Sequence, residues 1–149
     1  MNLHGLDIKI EHNKGDLRTG IGANGKRWQT RMAAAYGALK GTRAKDGEQV
    51  DAYVGPDKAS KKVFVIDQLK AETGAYDEAK VMLGFPSKDA AVMAYAKSFS
   101  DGKAKDRIGA VNEMTVDQFK RWVTSSDTKK PLGHQAKGYA AGGAVMPLI

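Results

Sequence analysis

Apolar and polar residues alternate over residues 6–11 (Leu-Asp-Ile-Lys-Ile-Glu), the period of two that a half-buried strand requires. Asn13-Lys14-Gly15 then predicts a turn, and Gly22-Ala23-Asn24-Gly25 a hairpin turn, because Asn-Gly tolerates the left-handed backbone of tight hairpins. Strands over 17–21 and 27–32 would flank it. β-branched and aromatic residues predict further strands over 50–54 and 62–66, separated by the turn Gly55-Pro56-Asp57. The second half changes period. Ser87 is placed to cap a helix over 88–99, which Asp101-Gly102 would end, and Thr115 with Gln118 has capping-box spacing ahead of a second helix reaching about residue 124. From Ser125 the chain turns polar, then Gly/Ala-rich, and ends on the apolar Val145-Met146-Pro147-Leu148-Ile149. This predicts a body over 1–126 and a flexible tail over 127–149.

Composition narrows the chemistry. A chain of 149 residues with 42% hydrophobic and 28% charged residues is large enough to bury a core. No apolar run approaches the ~20 residues of a membrane span. The opening residues 1–7 lack the basic-then-apolar pattern of an export signal, so a cytoplasmic setting is expected. With no cysteine and three scattered histidines (His4, His12, His134), thiolate and histidine metal cages drop out. Carboxylates, lysines, arginines and tyrosines remain. The net charge of +7 divides as +6 over residues 1–45, −2 over 46–100 and +3 over 101–149. A basic first third followed by an acidic middle suits a site that holds cations with carboxylates and an anion with Lys/Arg, although a solvated surface has the same look.

The densest acidic run is Asp46-Gly47-Glu48-Gln49-Val50-Asp51, three carboxylates around a glycine that allows a tight turn, just before a strand. Hard cations such as Mg²⁺ take oxygen donors and keep several waters, so a few convergent carboxylates suffice. A calcium loop is excluded: its twelfth position holds Asp57 instead of glutamate, and Pro56 interrupts it. Asp67, at the end of the 62–66 strand, and Asp77-Glu78, just before Lys80, add acids and a cation in a pattern suited to metal-assisted phosphate chemistry.

The run from Tyr36-Gly37 through Thr42 to Asp46-Gly47-Glu48-Gln49-Val50-Asp51 resembles the signature of soluble (family I) inorganic pyrophosphatases. The flanks over roughly residues 6–85 extend it, and the chain is similar to the divergent pyrophosphatase-like domains of bacteriophage and prophage proteins. The resemblance implies an α+β, mainly β fold, a small OB-like antiparallel β-barrel with two peripheral helices. It implies two or more Mg²⁺ ions, with Asp46, Asp51 and Glu78 as ligands (Asp77 standing in for Glu78 if needed), and with Asp67 and Glu11 holding the ion that arrives with substrate. It further implies that Glu48 orients or deprotonates the attacking water, that Arg18, Arg31 and Lys80 bind phosphate, and that the Tyr36 hydroxyl donates to it. Glu48 and Glu78 stand where the family has aspartates, Arg18 where it has a lysine, and Gly20 near a metal-binding glutamate. For the family's C-terminal Tyr-Lys pair, Lys120 or Tyr139 are the candidates.

The expected activity is therefore Mg²⁺-dependent hydrolysis of pyrophosphate or another small phosphoanhydride. The rival from another class is a weak or inactive member of the fold serving as a structural or interaction module of a phage or prophage, with virion association and with a homo-oligomer or protein partner engaged through the tail. A nucleic-acid binder ranks last, because strand-borne aromatics are few and no basic arm is present.

Overall fold

The computed structural model describes residues 1–133. Its elements are β1 (Asn2–Leu3), β2 (Leu6–His12), β3 (Leu17–Ile21), β4 (Arg27–Arg31), β5 (Ala35–Leu39), β6 (Val50–Val54), β7 (Lys62–Leu69), β8 (Tyr76–Leu83), α1 (Lys88–Lys97), α2 (Ala104–Arg107), β9 (Ile108–Thr115), α3 (Val116–Val123) and a 3-10 turn, Ser126–Lys129. Seven strands form one curled, half-barrel sheet in the order β1-β2-β5-β6-β8-β7-β9, while β3 and β4 pair as a separate hairpin. The mainly β class holds. The barrel is open, and one contact departs from the antiparallel expectation: β6 runs parallel to β8, because β7 folds back on β8 as a hairpin and leaves β8 beside β6.

Local sequence explains the elements that were legible. The Thr115 hydroxyl accepts from the Gln118 N–H at 3.1 Å while the Gln118 side chain accepts from the Thr115 N–H at 2.8 Å, a complete capping box. The Ser87 hydroxyl accepts from the Ala90 N–H at 3.2 Å and starts α1. β5, β8 and β9 had no strand pattern to give them away. β5 is Ala-Tyr-Gly-Ala-Leu, poor in β formers, and β8 ends in a run buried on both faces (Ala79 to Leu83), so neither alternates. A third helix, α2, is a single four-residue turn.

The sheet divides the core. One face packs Ile8, Val63, Val65 and Val81 against Phe119 and Trp122 of α3; the other packs Tyr36, Tyr53, Phe64, Ile66 and Met82 against Ala91 and Tyr95 of α1. Full burial of each large side chain contributes roughly 1.5–3 kcal/mol, so both helices are held mainly by their contact with the sheet. Residues 127–133, expected to belong to the tail, instead pack against the body: Thr128 and Leu132 are each 1% exposed. The remainder of the expected tail, with Tyr139, lies outside the described residues. No helix among the described residues is long and apolar enough to cross a membrane.

Candidate active site

Strand register decides which of the expected residues meet. Ala38 pairs with Asp51 across β5 and β6, Asp51 with Lys80 across β6 and β8, and Lys80 with Ile66 across β8 and β7. Directly opposed residues share a sheet face, so Asp51, Glu78 and Lys80 project to one side, together with Tyr36 and Tyr53. The Lys80 ammonium donates to Asp51 at 2.5 Å, to the Tyr36 hydroxyl at 3.0 Å, and lies 2.7 Å from Glu78. The three donors of a lysine are thereby matched by two carboxylates and a phenol. The Arg18 guanidinium sits over the Tyr36 ring at 4.7 Å from its centroid, which ties the β3–β4 hairpin to this cluster.

Burial and charge work against each other here. Burial would discharge Lys80, but Tyr36, Asp51 and Glu78 outweigh it and hold the ammonium well above its ordinary range. Burial also raises Asp51, yet the charge and hydrogen bond of Lys80 bring its carboxyl below the usual range. For Glu78 burial prevails over Lys80, Asp51 adds repulsion, and the carboxyl is raised to about 7. Tyr36 is pushed up by burial, so its phenol stays protonated and able to donate. One shared cation thus leaves Asp51 ionised and Glu78 poised to exchange a proton near neutrality.

The shift of Glu78 has a sign that can be checked. Between about pH 4.5 and about pH 7 the folded protein keeps a proton on Glu78 that the unfolded chain has released. The stability this supplies is full below the lower value and is lost as pH rises to the upper one. The urea midpoint of the wild type is expected to fall across that window by an amount that Glu78→Gln does not show. Parallel pH profiles for the two proteins would count against the shift.

Other expected residues lie elsewhere. Asp67 pairs with Ala79, one residue out of step with Lys80, so alternation turns it to the opposite sheet face; there its carboxylate accepts the N–H groups of Leu132 at 2.8 Å and Gly133 at 2.9 Å. The carboxylate expected to help hold a metal ion is thus engaged by two backbone N–H groups. Arg31 pairs with Leu17 and faces the other side of the hairpin from Arg18, where it donates to the Gly15 carbonyl at 2.7 Å. Glu11 is the exposed bulge residue between Ile10 and His12. Asp77 is also bulged, between the pairs Gln68–Glu78 and Leu69–Tyr76, and accepts from the Gln68 amide at 3.0 Å. Asp46 and Glu48 lie exposed in the loop before β6, where Asp46 accepts from the Glu48 N–H at 2.9 Å. Lys120 lies on α3, on the α3 face of the sheet, not beside Lys80.

Gly20 has a packing reason. A Cβ there would lie 2.7 Å from Cε2 of Trp28, whose indole covers the glycine across the hairpin. The position near which a metal-binding glutamate was expected is filled by an aromatic ring. Sequence reasoning missed Lys9, which pairs with Ala38 and so stands in the same cross-strand row as Asp51 and Lys80. It also missed Gln68, buried and held between the Tyr95 hydroxyl (2.7 Å) and Asp77. Only register could have found them.

Metal-binding capacity follows from the donors. Asp51 and Glu78 supply two carboxylates on one shared cation, which with waters is a donor set that Mg²⁺ accepts. No group of three His, Cys, Asp or Glu side chains assembles among the described residues, so the larger cluster implied by the sequence is not formed there.

No curated protein matches the chain. Two solved structures are similar to it: an inorganic pyrophosphatase from Coxiella burnetii (14% identity, 79% of this chain and 89% of that chain, TM-score 0.42) and an inorganic phosphatase from Anaplasma phagocytophilum (14%, 83% and 91%, TM-score 0.42). The family model described as Inorganic Pyrophosphatase matches residues 1–124. With most of its length covered by that match, the chain belongs to the inorganic pyrophosphatase family.

Proposed function

We propose that this protein hydrolyses inorganic pyrophosphate, or another small phosphoanhydride, in a Mg²⁺-dependent reaction. The observation that carries the reading is the Asp51–Lys80–Glu78–Tyr36 constellation with Arg18 against it, in a chain of this family. Asp51 and Glu78 would hold a Mg²⁺ ion, whose chemistry is to activate water and neutralise phosphate charge. Lys80 and Arg18 bind phosphate oxygens, Arg18 through a planar fork suited to two contacts. Tyr36, protonated because it is buried, donates its hydroxyl to the same group. Glu48, on the loop leading into β6, takes the proton of the attacking water. The water oxygen bonds to one phosphorus as the bridging P–O bond breaks, and the departing phosphate leaves from Lys80 and Arg18.

The test is phosphate release from pyrophosphate by the purified protein, with Mg²⁺ and with EDTA, beside Asp51→Asn. Release that needs Mg²⁺ is expected, falling about 10²-fold in the variant, the order of loss that a displaced catalytic group produces. A second reading, an inactive member of the fold acting as an interaction module, is favoured by Trp28 closing over Gly20 and by the lack of a three-acid group among the described residues. No release from demonstrably folded protein would decide for it.

A further inference from the structure

We infer that residues 126–133 form a strap that positions the loop carrying Asp46 and Glu48, with Thr128 as the positioning residue and Asp67 as the anchor; its catalytic consequence rests on the proposed function. The strap begins just past the segment 1–124 that the family model matches. Its 3-10 turn is started by Ser125, whose hydroxyl accepts from the Asp127 N–H at 3.1 Å. Thr128 is 1% exposed and touches the loop: its hydroxyl donates to the Arg43 carbonyl at 2.6 Å, across 85 residues of sequence.

That carbonyl belongs to the same planar peptide unit as the Ala44 N–H, which donates to the Glu48 carbonyl at 2.7 Å. The Ala44 carbonyl in turn accepts from Gly47 at 3.1 Å. One rigid peptide is thus gripped by the strap on one side and by Glu48 on the other, so its orientation sets that of the acidic turn. Tyr76 closes a ring around it. The Tyr76 hydroxyl donates to the Thr128 carbonyl at 3.2 Å, and the Tyr76 carbonyl accepts from Lys45 at 3.0 Å, with the Lys45 ammonium 5.5 Å from the ring centroid.

The far end of the strap is tied more strongly. Asp67 is 2% exposed, and a buried carboxylate needs hydrogen bonds to be tolerated. The Leu132 and Gly133 N–H groups supply two, one to each oxygen, while the Leu132 side chain enters the core on the α3 face. The acid that the family resemblance placed among metal ligands fastens the segment that orients the loop.

The test compares wild type, Thr128→Val and Thr128→Ser by amide hydrogen exchange and by steady-state kinetics with Mg²⁺ and pyrophosphate. In Thr128→Val the Ala44 and Gly47 amides are expected to exchange roughly tenfold faster, the worth of one lost hydrogen bond. A similar fall in kcat is expected with KM unchanged within about twofold, because Lys80 and Arg18 are untouched. Thr128→Ser, which keeps the hydroxyl, restores both. If Thr128→Val fails to fold, Tyr76→Phe removes the neighbouring contact at a half-buried position and should move the same amides. Unchanged exchange in the loop, or a kcat loss that Thr128→Ser shares equally, overturns the inference. If wild type releases no phosphate the functional reading falls, and the exchange result alone decides whether the strap sets the loop.

Discussion

Replacing Lys80 with Met is expected to abolish measurable phosphate release and to cost the fold about 3–5 kcal/mol, the penalty for removing one partner of a buried ion pair. Lys80 is 7% exposed, and its ammonium is the common partner of Asp51, Glu78 and the Tyr36 hydroxyl. Methionine keeps the apolar stem of the side chain as far as Cε, lacks the ammonium, and leaves two carboxylates facing each other in a partly desolvated place. Asp51, held below its usual range by that ammonium, would lose the reason for its low value and move towards Glu78, which burial already raises. On the catalytic side, loss of one preorganised donor to a phosphoryl group costs on the order of 10²–10³ in rate. The two effects separate in the double variant Lys80→Met/Asp51→Asn. Removing a charge from each side should recover part of the urea midpoint while phosphate release stays absent. A Lys80→Met protein with wild-type stability would show that the carboxylates do not depend on this cation.

Gly37→Ala is expected to destabilise by at least about 3 kcal/mol, beyond the usual range for an overpacked position, because the obstacle is backbone and cannot turn aside. A Cβ at Gly37 would lie 2.8 Å from the Lys9 carbonyl carbon and 2.9 Å from the Ile10 Cα, where β2 crosses at its bulge. Accommodating it requires β2 to move off β5, and β5 carries Tyr36 one residue earlier. Phosphate release should fall with the folded fraction and not recover at saturating substrate. In the Tyr-Gly pair that contributes to the family resemblance, the glycine is thus required by the close approach of β2, and the tyrosine is the residue proposed to donate to phosphate. Circular dichroism and a urea titration would read the effect directly; an unchanged midpoint would mean that β2 can withdraw at little cost.

Among the candidate residues, Tyr36, Asp51, Glu78 and Lys80 stood in short motifs and the sheet brings them together, while Arg18, named through the resemblance, reaches them from the separate β3–β4 hairpin. Asp67 and Arg31 lie apart from that cluster for one shared reason. Along a strand a shift of one residue reverses the face, and no motif at the level of spacing records which face a strand shows. Register sends Asp67 to the strap and Arg31 to the outside of the hairpin.

What the sequence by itself determined is local: the hairpin around Asn24-Gly25, the two capped helices and the alternating β2, together with a composition without cysteine. These depend on neighbours within a few residues, whose sterics and hydrogen bonds act wherever the chain goes. The tertiary structure alone decided that β5, β8 and β9 are strands, that β6 lies parallel to β8, and that the Lys80 ammonium joins Asp51, 29 residues earlier in the chain, and Glu78 of its own strand with a tyrosine from a third. Those outcomes rest on cross-strand pairing and burial on both faces, which outweigh weak local propensity once a sheet has formed.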